Sequence, residues 1–168
     1  VNPISVKGVA LNKTTMTLKV AQADTLVATI TPEDAANKEV VWASDNAEVA
    51  TVVDGVVTAV ALGTANITVT TVDGNFTATC VVTVEATPVT GVTLDVTELT
   101  LDVPQTATLK ATVAPEDATD KSVTWASDNE TVATVAEGVV TAVAEGTANI
   151  TVTTTDGGFK ATCVVTVR

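Results

Sequence analysis

The sequence predicts an all-β protein made of two tandem antiparallel β-sandwiches, and composition, patterning and an internal repeat support this prediction. Hydrophobic residues make up 46% of the 168 residues and aromatic residues only 2%. Most of the apolar residues are Val and Ala, with Thr abundant beside them. This β-branched bias favours strands over helices. The repeat has a constant spacing, at which Trp42 recurs as Trp125 and Cys80 as Cys163.

The length of the repeat predicts two complete domains rather than short stacking units, because each copy has its own Trp, Cys and turn glycines. We predict domains at residues 1–86 and 87–168. They are joined through the segment 85–91, in which Pro88 restricts the chain. Since this segment contains little Gly or Ser, we expect a semi-rigid linker that joins the domains end to end as a rod.

Alternation of apolar and polar residues predicts the strands of the first copy. The predicted segments are, in order, 14–20, 25–30, 40–46, 48–53, 56–60, 63–71 and 76–84. The side chains predicted to face inward are Met16, Leu18, Val20, Leu26, Ala28, Ile30, Val40, Trp42, Ala65, Ile67, Val69, Ala78, Cys80, Val82 and Val84. Val41 is replaced by Thr124 in the second copy, which indicates that the alternate face of its strand is solvated.

The turn signals complete the fold prediction. Asp54-Gly55 lies between two β-branched runs and predicts a tight hairpin, because Gly readily adopts positive φ. The second copy has Glu137-Gly138 at this position. About seven short strands in each copy, with one Trp on the third long strand, indicate an antiparallel sandwich of immunoglobulin type, with a small barrel as the alternative.

Charge and composition exclude several classes of function. The formal net charge is −12, and without a basic patch the chain would be repelled by phosphate backbones and anionic membranes. No apolar stretch approaches the roughly 20 residues that cross a bilayer. The chain has no His, which removes the commonest general base and transition-metal ligand. We therefore expect no catalytic residue, no cofactor, no nucleic-acid partner and no direct membrane insertion.

Each copy contributes one cysteine, Cys80 and Cys163, at equivalent positions on an apolar face. We predict that both are buried free thiols that act as small hydrophobic side chains. The tripeptide Ser44-Asp45-Asn46 ends a strand in the first copy. It predicts a turn in which Asp and Asn side chains bond the backbone.

Loop carboxylates are the candidates for calcium, which takes six to eight oxygen ligands. The candidates are Glu33, Asp34 and Asp45 in the first copy and Glu116, Asp117, Asp120 and Asp128 in the second. They would form sites if the two loops of each copy meet at one pole of the sandwich. Since the sequence lacks a spaced D-x-D-x-D pattern, a solvated acidic surface is the alternative.

Outward threonines form rows on the predicted sheet. They are Thr64, Thr68 and Thr70, with their equivalents Thr147, Thr151 and Thr153. Such a row is either a flat face for a protein or sugar partner or a solvated surface with good β-propensity.

The ordered elements V-x-W-A-S-D-N, V-A-T-V, V-V-T-A-V, G-T-A-N-I-T-V-T and A-T-C-V-V-T-V resemble the bacterial immunoglobulin-like domain, group 2. This family occurs in invasin- and intimin-like adhesins, other surface proteins and phage structural proteins. The resemblance covers residues 5–85 and 88–168. It implies a non-catalytic stalk or adhesion module that is extracellular, at the cell surface or on a virion.

We expect a rod-like spacer of a larger bacterial cell-surface or phage virion protein that contributes to host or carbohydrate attachment. The alternative is a pair of accessory domains of a secreted carbohydrate-active enzyme, whose catalytic domain lies outside this sequence. Expected partners are a host-surface protein or glycan and neighbouring domains of the same polypeptide. Exposed strand edges would also allow homo-oligomers.

Overall fold

The computed structural model describes residues 2–168, which form strands, turns and loops without a helix. The chain divides into two compact units, with the boundary between Ala86 and Thr87. Each unit contains nine strands in the described residues. In the first unit these are β1 Gly8–Leu11, β2 Thr15–Lys19, β3 Ala23–Thr25, β4 Ala28–Thr31, β5 Val40–Ser44, β6 Ala50–Val53, β7 Val56–Ala59, β8 Gly63–Thr71 and β9 Thr77–Glu85.

The second unit repeats this order. Its strands are β10 Gly91–Leu94, β11 Glu98–Leu101, β12 Thr106–Thr108, β13 Ala111–Ala114, β14 Val123–Ser127, β15 Ala133–Ala136, β16 Val139–Ala142, β17 Gly146–Thr154 and β18 Lys160–Val167.

Each unit is a β-sandwich of open sheets, so the predicted fold class is confirmed. In the first unit a four-stranded sheet, β2-β9-β8-β5, faces a three-stranded sheet, β3-β7-β6, and β1 pairs with β4. The second unit has the sheets β11-β18-β17-β14, β12-β16-β15 and β10-β13. The alternative of a closed barrel does not form.

The first unit has nine strands rather than the predicted seven, because the sequence analysis did not predict β1 and because one predicted strand is broken. Residues 25–30 were expected as one strand, but Leu26 and Val27 interrupt it. The Leu26 amide donates to the Gly55 carbonyl at 2.8 Å, and the Val27 amide donates to Asn12 Oδ1 at 2.8 Å. As a result β3 pairs with β7, whereas β4 pairs with β1.

The sandwich also contains one parallel pair in each unit, which the antiparallel prediction did not include. In the first unit β2 runs parallel to β9, from Thr15 opposite Val81 to Lys19 opposite Glu85. The pair β11–β18 is equivalent. It arises because the chain leaves β1 at Leu11, crosses to the other sheet and meets the last strand in the same direction.

The core of the first unit lies between the sheets and follows the predicted alternation. Its buried members include Met16, Leu18, Leu26, Ile67, Cys80, Val82 and Val84. Trp42 packs against this core but is half-buried.

The prediction that Val20 faces inward was wrong, since its side chain is 38% exposed. Here the strand has already ended, and the Gln22 amide donates to the Lys19 carbonyl in a turn. Val41 is 59% exposed, which confirms the solvated outer face.

The Asp54-Gly55 hairpin forms as predicted, with φ of 48° at Asp54 and 83° at Gly55. Positive φ at both central residues is typical of the tightest hairpin turns. A Cβ at position 55 would lie 2.6 Å from the Leu26 carbonyl oxygen and 3.2 Å from the Trp42 ring. Glycine is therefore required both by backbone conformation and by the close approach of Trp42.

We predict that Gly55→Ala lowers the melting temperature of the first unit, because alanine is strained at positive φ and meets the Leu26 carbonyl. The expected loss is about 1–3 kcal/mol in the free energy of unfolding. Differential scanning calorimetry of the full chain measures it. The control is Gly91→Ala, where an added Cβ meets no atom within 4 Å. Equal losses in the two variants would contradict the prediction.

Candidate functional site

The acidic residues predicted to meet at one pole lie at opposite ends of β5 in the first unit. Glu33 and Asp34 precede this strand, and Asp45 follows it directly. A strand of five residues at about 3.3 Å per residue separates its ends by roughly 16 Å. The structure therefore does not bring the three carboxylates together.

The second unit has the same arrangement. Glu116, Asp117 and Asp120 precede β14, and Asp128 follows it. The Asp120 side chain makes hydrogen bonds within its own loop. Its Oδ1 accepts from Ser122 Oγ at 2.6 Å and from the Ser122 amide at 2.9 Å. These bonds lower the pKa of the Asp120 carboxyl, with the hydroxyl bond contributing most. Across residues 2–168, no three His, Cys, Asp or Glu side chains are placed to hold a metal ion.

Asp45 uses both carboxylate oxygens to hold β8. Oδ1 accepts from the Asn66 amide at 2.7 Å, and Oδ2 accepts from Asn66 Nδ2 at 2.7 Å. The Asp45 amide in turn donates to the Asn66 carbonyl at 3.1 Å. The backbone bond and then the side-chain bond from Asn66 hold the pKa of the Asp45 carboxyl below its ordinary value.

The second unit repeats this contact between Asp128 and Asn149, with both carboxylate distances at 2.7 Å. The pKa of the Asp128 carboxyl is lowered by the same two causes. A carboxylate that accepts two such bonds favours its ionised form. The Asp–Asn pair therefore joins the end of β5 to β8 in the first unit and the end of β14 to β17 in the second. Its carboxylate oxygens are used in these bonds rather than left free for a ligand.

The Ser-Asp-Asn tripeptide forms the turn that its sequence predicted. Ser44 Oγ donates to the Ala50 carbonyl at 2.6 Å and accepts from the Asn46 amide at 3.2 Å. The carbonyl of Asn46, rather than its side chain, accepts from the Val49 and Ala50 amides. The tripeptide is therefore a structural turn between β5 and β6.

Two polar residues that fix the β8–β9 turn were missed from the sequence. The buried Thr71 Oγ1 accepts from the Phe76 amide at 2.9 Å and donates to the Asp73 carbonyl at 2.7 Å. Asp73 Oδ2 accepts from the Val6 amide at 2.8 Å and so holds the segment that leads into β1. Their retention as Thr154 and Asp156 was the available signal.

Both cysteines are fully buried free thiols, as predicted. Burial raises the pKa of the Cys80 thiol and of the Cys163 thiol. A thiol whose pKa is raised by apolar surroundings is a weak nucleophile. Both side chains act as part of the core.

The threonine rows lie on the outer face of the four-stranded sheets. Thr68 and Thr79 are in register on β8 and β9, with 3.2 Å between their hydroxyl oxygens. Thr151 and Thr162 lie 3.1 Å apart in the second unit. Cross-strand threonine pairs stabilise the sheet, so these hydroxyls have a structural role whether or not a partner binds the face.

Within residues 2–168, the structure contains no helix that is long and apolar enough to cross a membrane.

The fold defines each unit as an immunoglobulin-like β-sandwich, and comparison with known families agrees. The bacterial Ig-like domain (group 2) matches residues 5–82 and again residues 88–165. The chain belongs to this family and contains two copies of its domain. Domains of this family are generally non-catalytic.

Two relatives show the range of proteins that contain such domains. An Ig-like virion protein of Serratia phage KSP90 is 40% identical over 170 residues, which cover 98% of this chain and 66% of the phage protein. An alpha-L-arabinofuranosidase of Bifidobacterium longum subsp. longum is 57% identical over 61 residues, which cover 36% of this chain and 6% of the enzyme. The chain thus spans less than two thirds of either relative.

Among solved structures, domains 4 and 5 of the S-layer protein SbsC are 27% identical to the chain. The match covers 97% of this chain and 98% of that structure, with a TM-score of 0.48.

We predict that Asp45→Ala lowers the melting temperature near neutral pH and that this difference shrinks in acid. Since the folded-state pKa is lowered, the stabilisation is fully present above the ordinary value of 3.8. It is lost as the pH falls through the lower folded-state pKa. Thermal melts at a series of pH values measure it.

The control for this variant is Asp34→Ala, which removes the same charge from a side chain without a hydrogen bond in the described residues. Its melting temperature should stay close to that of the unsubstituted chain throughout the series. Equal effects of the two substitutions would show that charge, rather than the bonds to Asn66, determines the result.

We predict that calcium neither releases saturable heat nor shifts the melting temperature. The reason is that the candidate carboxylates of each unit lie in loops at opposite ends of one strand, β5 in the first unit and β14 in the second. Isothermal titration calorimetry with calcium chloride tests this on the full chain. A saturable heat that disappears in the Asp45→Ala variant would mean that the acidic loops do assemble a site.

Proposed function

We propose that the chain is a spacer within a larger surface or virion polypeptide. One observation carries this proposal. Polar residues retained in both copies, around the turns after β5 and β8, make hydrogen bonds that hold the backbone. They are Ser44, Asp45, Asn66, Thr71 and Asp73, with their equivalents Ser127, Asp128, Asn149, Thr154 and Asp156.

This use of polar groups differs from that of a reactive site, in which side chains converge on an open space. Ser44 Oγ reaches the Ala50 carbonyl and Ser127 Oγ reaches the Ala133 carbonyl, at 2.6 Å and 2.7 Å. These hydroxyls are committed to the turn. The polar residues that the two copies share therefore support the folded shape of the unit, which is the property that a spacer needs.

An extracellular, cell-surface or virion location fits this proposal. It is supported by membership of the family and by similarity to a phage Ig-like virion protein. In such a polypeptide the neighbouring domains would be its direct partners. The outer threonine face and the loops would supply any contact with a host protein or glycan.

A second candidate function is that of an accessory module in a carbohydrate-active enzyme. The observation that favours it is the 57% identity to a segment of an alpha-L-arabinofuranosidase. The matched segment is a small part of that enzyme, so the proposal concerns a supporting domain. Sequence beyond residues 1 and 168 of the natural polypeptide distinguishes the candidates, since a catalytic domain there would favour the second.

A swap experiment tests the spacer in the natural polypeptide. Replacing residues 87–168 with a second copy of the first unit keeps the number of domains and changes the exposed surface. We predict that attachment of the cell or virion is retained in this chimera and falls when residues 87–168 are deleted. Loss of attachment in the chimera would show that the surface of the second unit matters more than the added length.

Direct binding is measured separately on the full chain, by a glycan array and by capture with purified host-surface proteins. The spacer proposal expects no specific signal. A signal that disappears when Thr68 and Thr79 are replaced by Val would instead assign attachment to the outer sheet face. Light scattering on the same sample reports whether exposed strand edges pair copies of the chain.

A further inference from the structure

The first and last long segments of each unit are joined in parallel. β2 lies near the start of the first unit and β9 at its end, and the two strands run in the same direction. The ladder joins five residue pairs, from Thr15–Val81 to Lys19–Glu85. Force applied along the polypeptide pulls β2 from its N-terminal side and β9 from its C-terminal side.

We propose that the β2–β9 pair is a mechanical clamp, which means that it resists force applied to the two ends of the unit. The β11–β18 pair is its equivalent in the second unit. The proposal rests on the spacer function, because a spacer in an attached surface protein transmits force. Parallel strands pulled from opposite ends slide lengthwise past each other, so the hydrogen bonds of the ladder share the load. A pair that opened from one end would lose its bonds one after another.

The ladder is extended beyond the strand bounds in both units. The Val81 amide donates to the Thr14 carbonyl at 2.9 Å, and the Val164 amide donates to the Thr97 carbonyl at 2.9 Å. At the other end of the second ladder, the Arg168 amide donates to the Leu101 carbonyl at 3.0 Å. The clamp therefore reaches the last residues of each unit.

The inner side of the clamp is part of the core. Met16 and Leu18 of β2 and Val82 and Val84 of β9 are all buried. Sliding the strands would move these four side chains out of register with the facing sheet. Water is excluded from this side, so it competes poorly for the ladder bonds until the core opens.

A charged pair crosses the C-terminal end of the clamp in the first unit. Lys19 Nζ lies 3.3 Å from Glu85 Oε2 and donates to the Ala86 carbonyl at 3.0 Å. The equivalent residues in the second unit are Asp102 and Arg168, so the charges are present with exchanged signs. Among the described residues, the ion pair across the clamp is present only in the first unit.

The segment before the clamp is held by a shorter ladder. β1 pairs with β4 through four residue pairs, and the Val6 amide bonds to Asp73. Residues 12–14 then separate β1 from β2. We expect β1 to detach first under load without releasing the core, and rupture of β2–β9 to unfold the rest of the unit.

Single-molecule force spectroscopy on the full chain, held by handles at its two ends, tests the clamp. Rupture should release the residues between β2 and β9, which at about 3.6 Å per residue add roughly 25 nm of contour length. Val81→Pro removes the amide that bonds Thr14 and replaces a partly exposed side chain. It should lower the rupture force of one of the two unfolding events and leave the other unchanged.

The matched control is Val164→Pro, which should affect only the event of the second unit. Asp45→Ala serves as a control for stability, because it weakens the antiparallel β5–β8 pair outside the clamp. It should lower the melting temperature without lowering the rupture force. If Val81→Pro does not fold, Lys19→Ala removes the exposed charge pair and should give a smaller loss of force in the same event.

Unchanged rupture force in a folded Val81→Pro variant, or in Lys19→Ala where that variant takes its place, would overturn the clamp. An equal loss of force in Asp45→Ala would overturn it as well, since force would then follow overall stability. Either result leaves the chimera experiment of the spacer proposal untouched. Failure of the chimera would likewise leave the measured rupture forces unchanged.

Discussion

The pairing of β8 with β9 is the constraint on which the rest of each unit depends. These are the two longest strands of the first unit, and eight residue pairs join them. β5 pairs onto one side of this hairpin and β2 onto the other. Ile67, Val69, Cys80, Val82 and Val84 supply the inner face against which the second sheet packs. A one-residue slip in this register would turn that whole apolar set toward water.

The small size of the core side chains creates a second constraint. Ala50, Ala59 and Ala65 are almost completely buried, and because their side chains are small the sheets must approach closely to exclude water. Trp42 packs against this core from its periphery, where its ring lies against Gly55. Close packing of this kind has little tolerance for added volume, which explains why the hairpin glycine is retained in both copies.

The sequence predicted the positions that depend on strict alternation, as the burial of β8 and β9 shows. It did not predict β1 or the break at residues 26–27, because the choice of a pairing partner depends on strands that are distant in the chain. The same reason explains the parallel β2–β9 pair. The structure also does not bring the acidic loops together at one pole, as the sequence analysis considered. Glu33 and Asp45 lie on opposite sides of β5, and an extended strand separates the residues at its two ends.

The two copies show which contacts the fold requires and which it tolerates in several forms. The bonds of Asp45 to the Asn66 amide and of Asp73 to the Val6 amide recur between the equivalent residues of the second unit. Surface pairs change together instead. The ion pair of Lys13 with Asp24 in the first unit is replaced by Val96 and Ala107, which pack against the core of the second. An exposed ion pair contributes little to stability, so replacing both partners by apolar residues costs little.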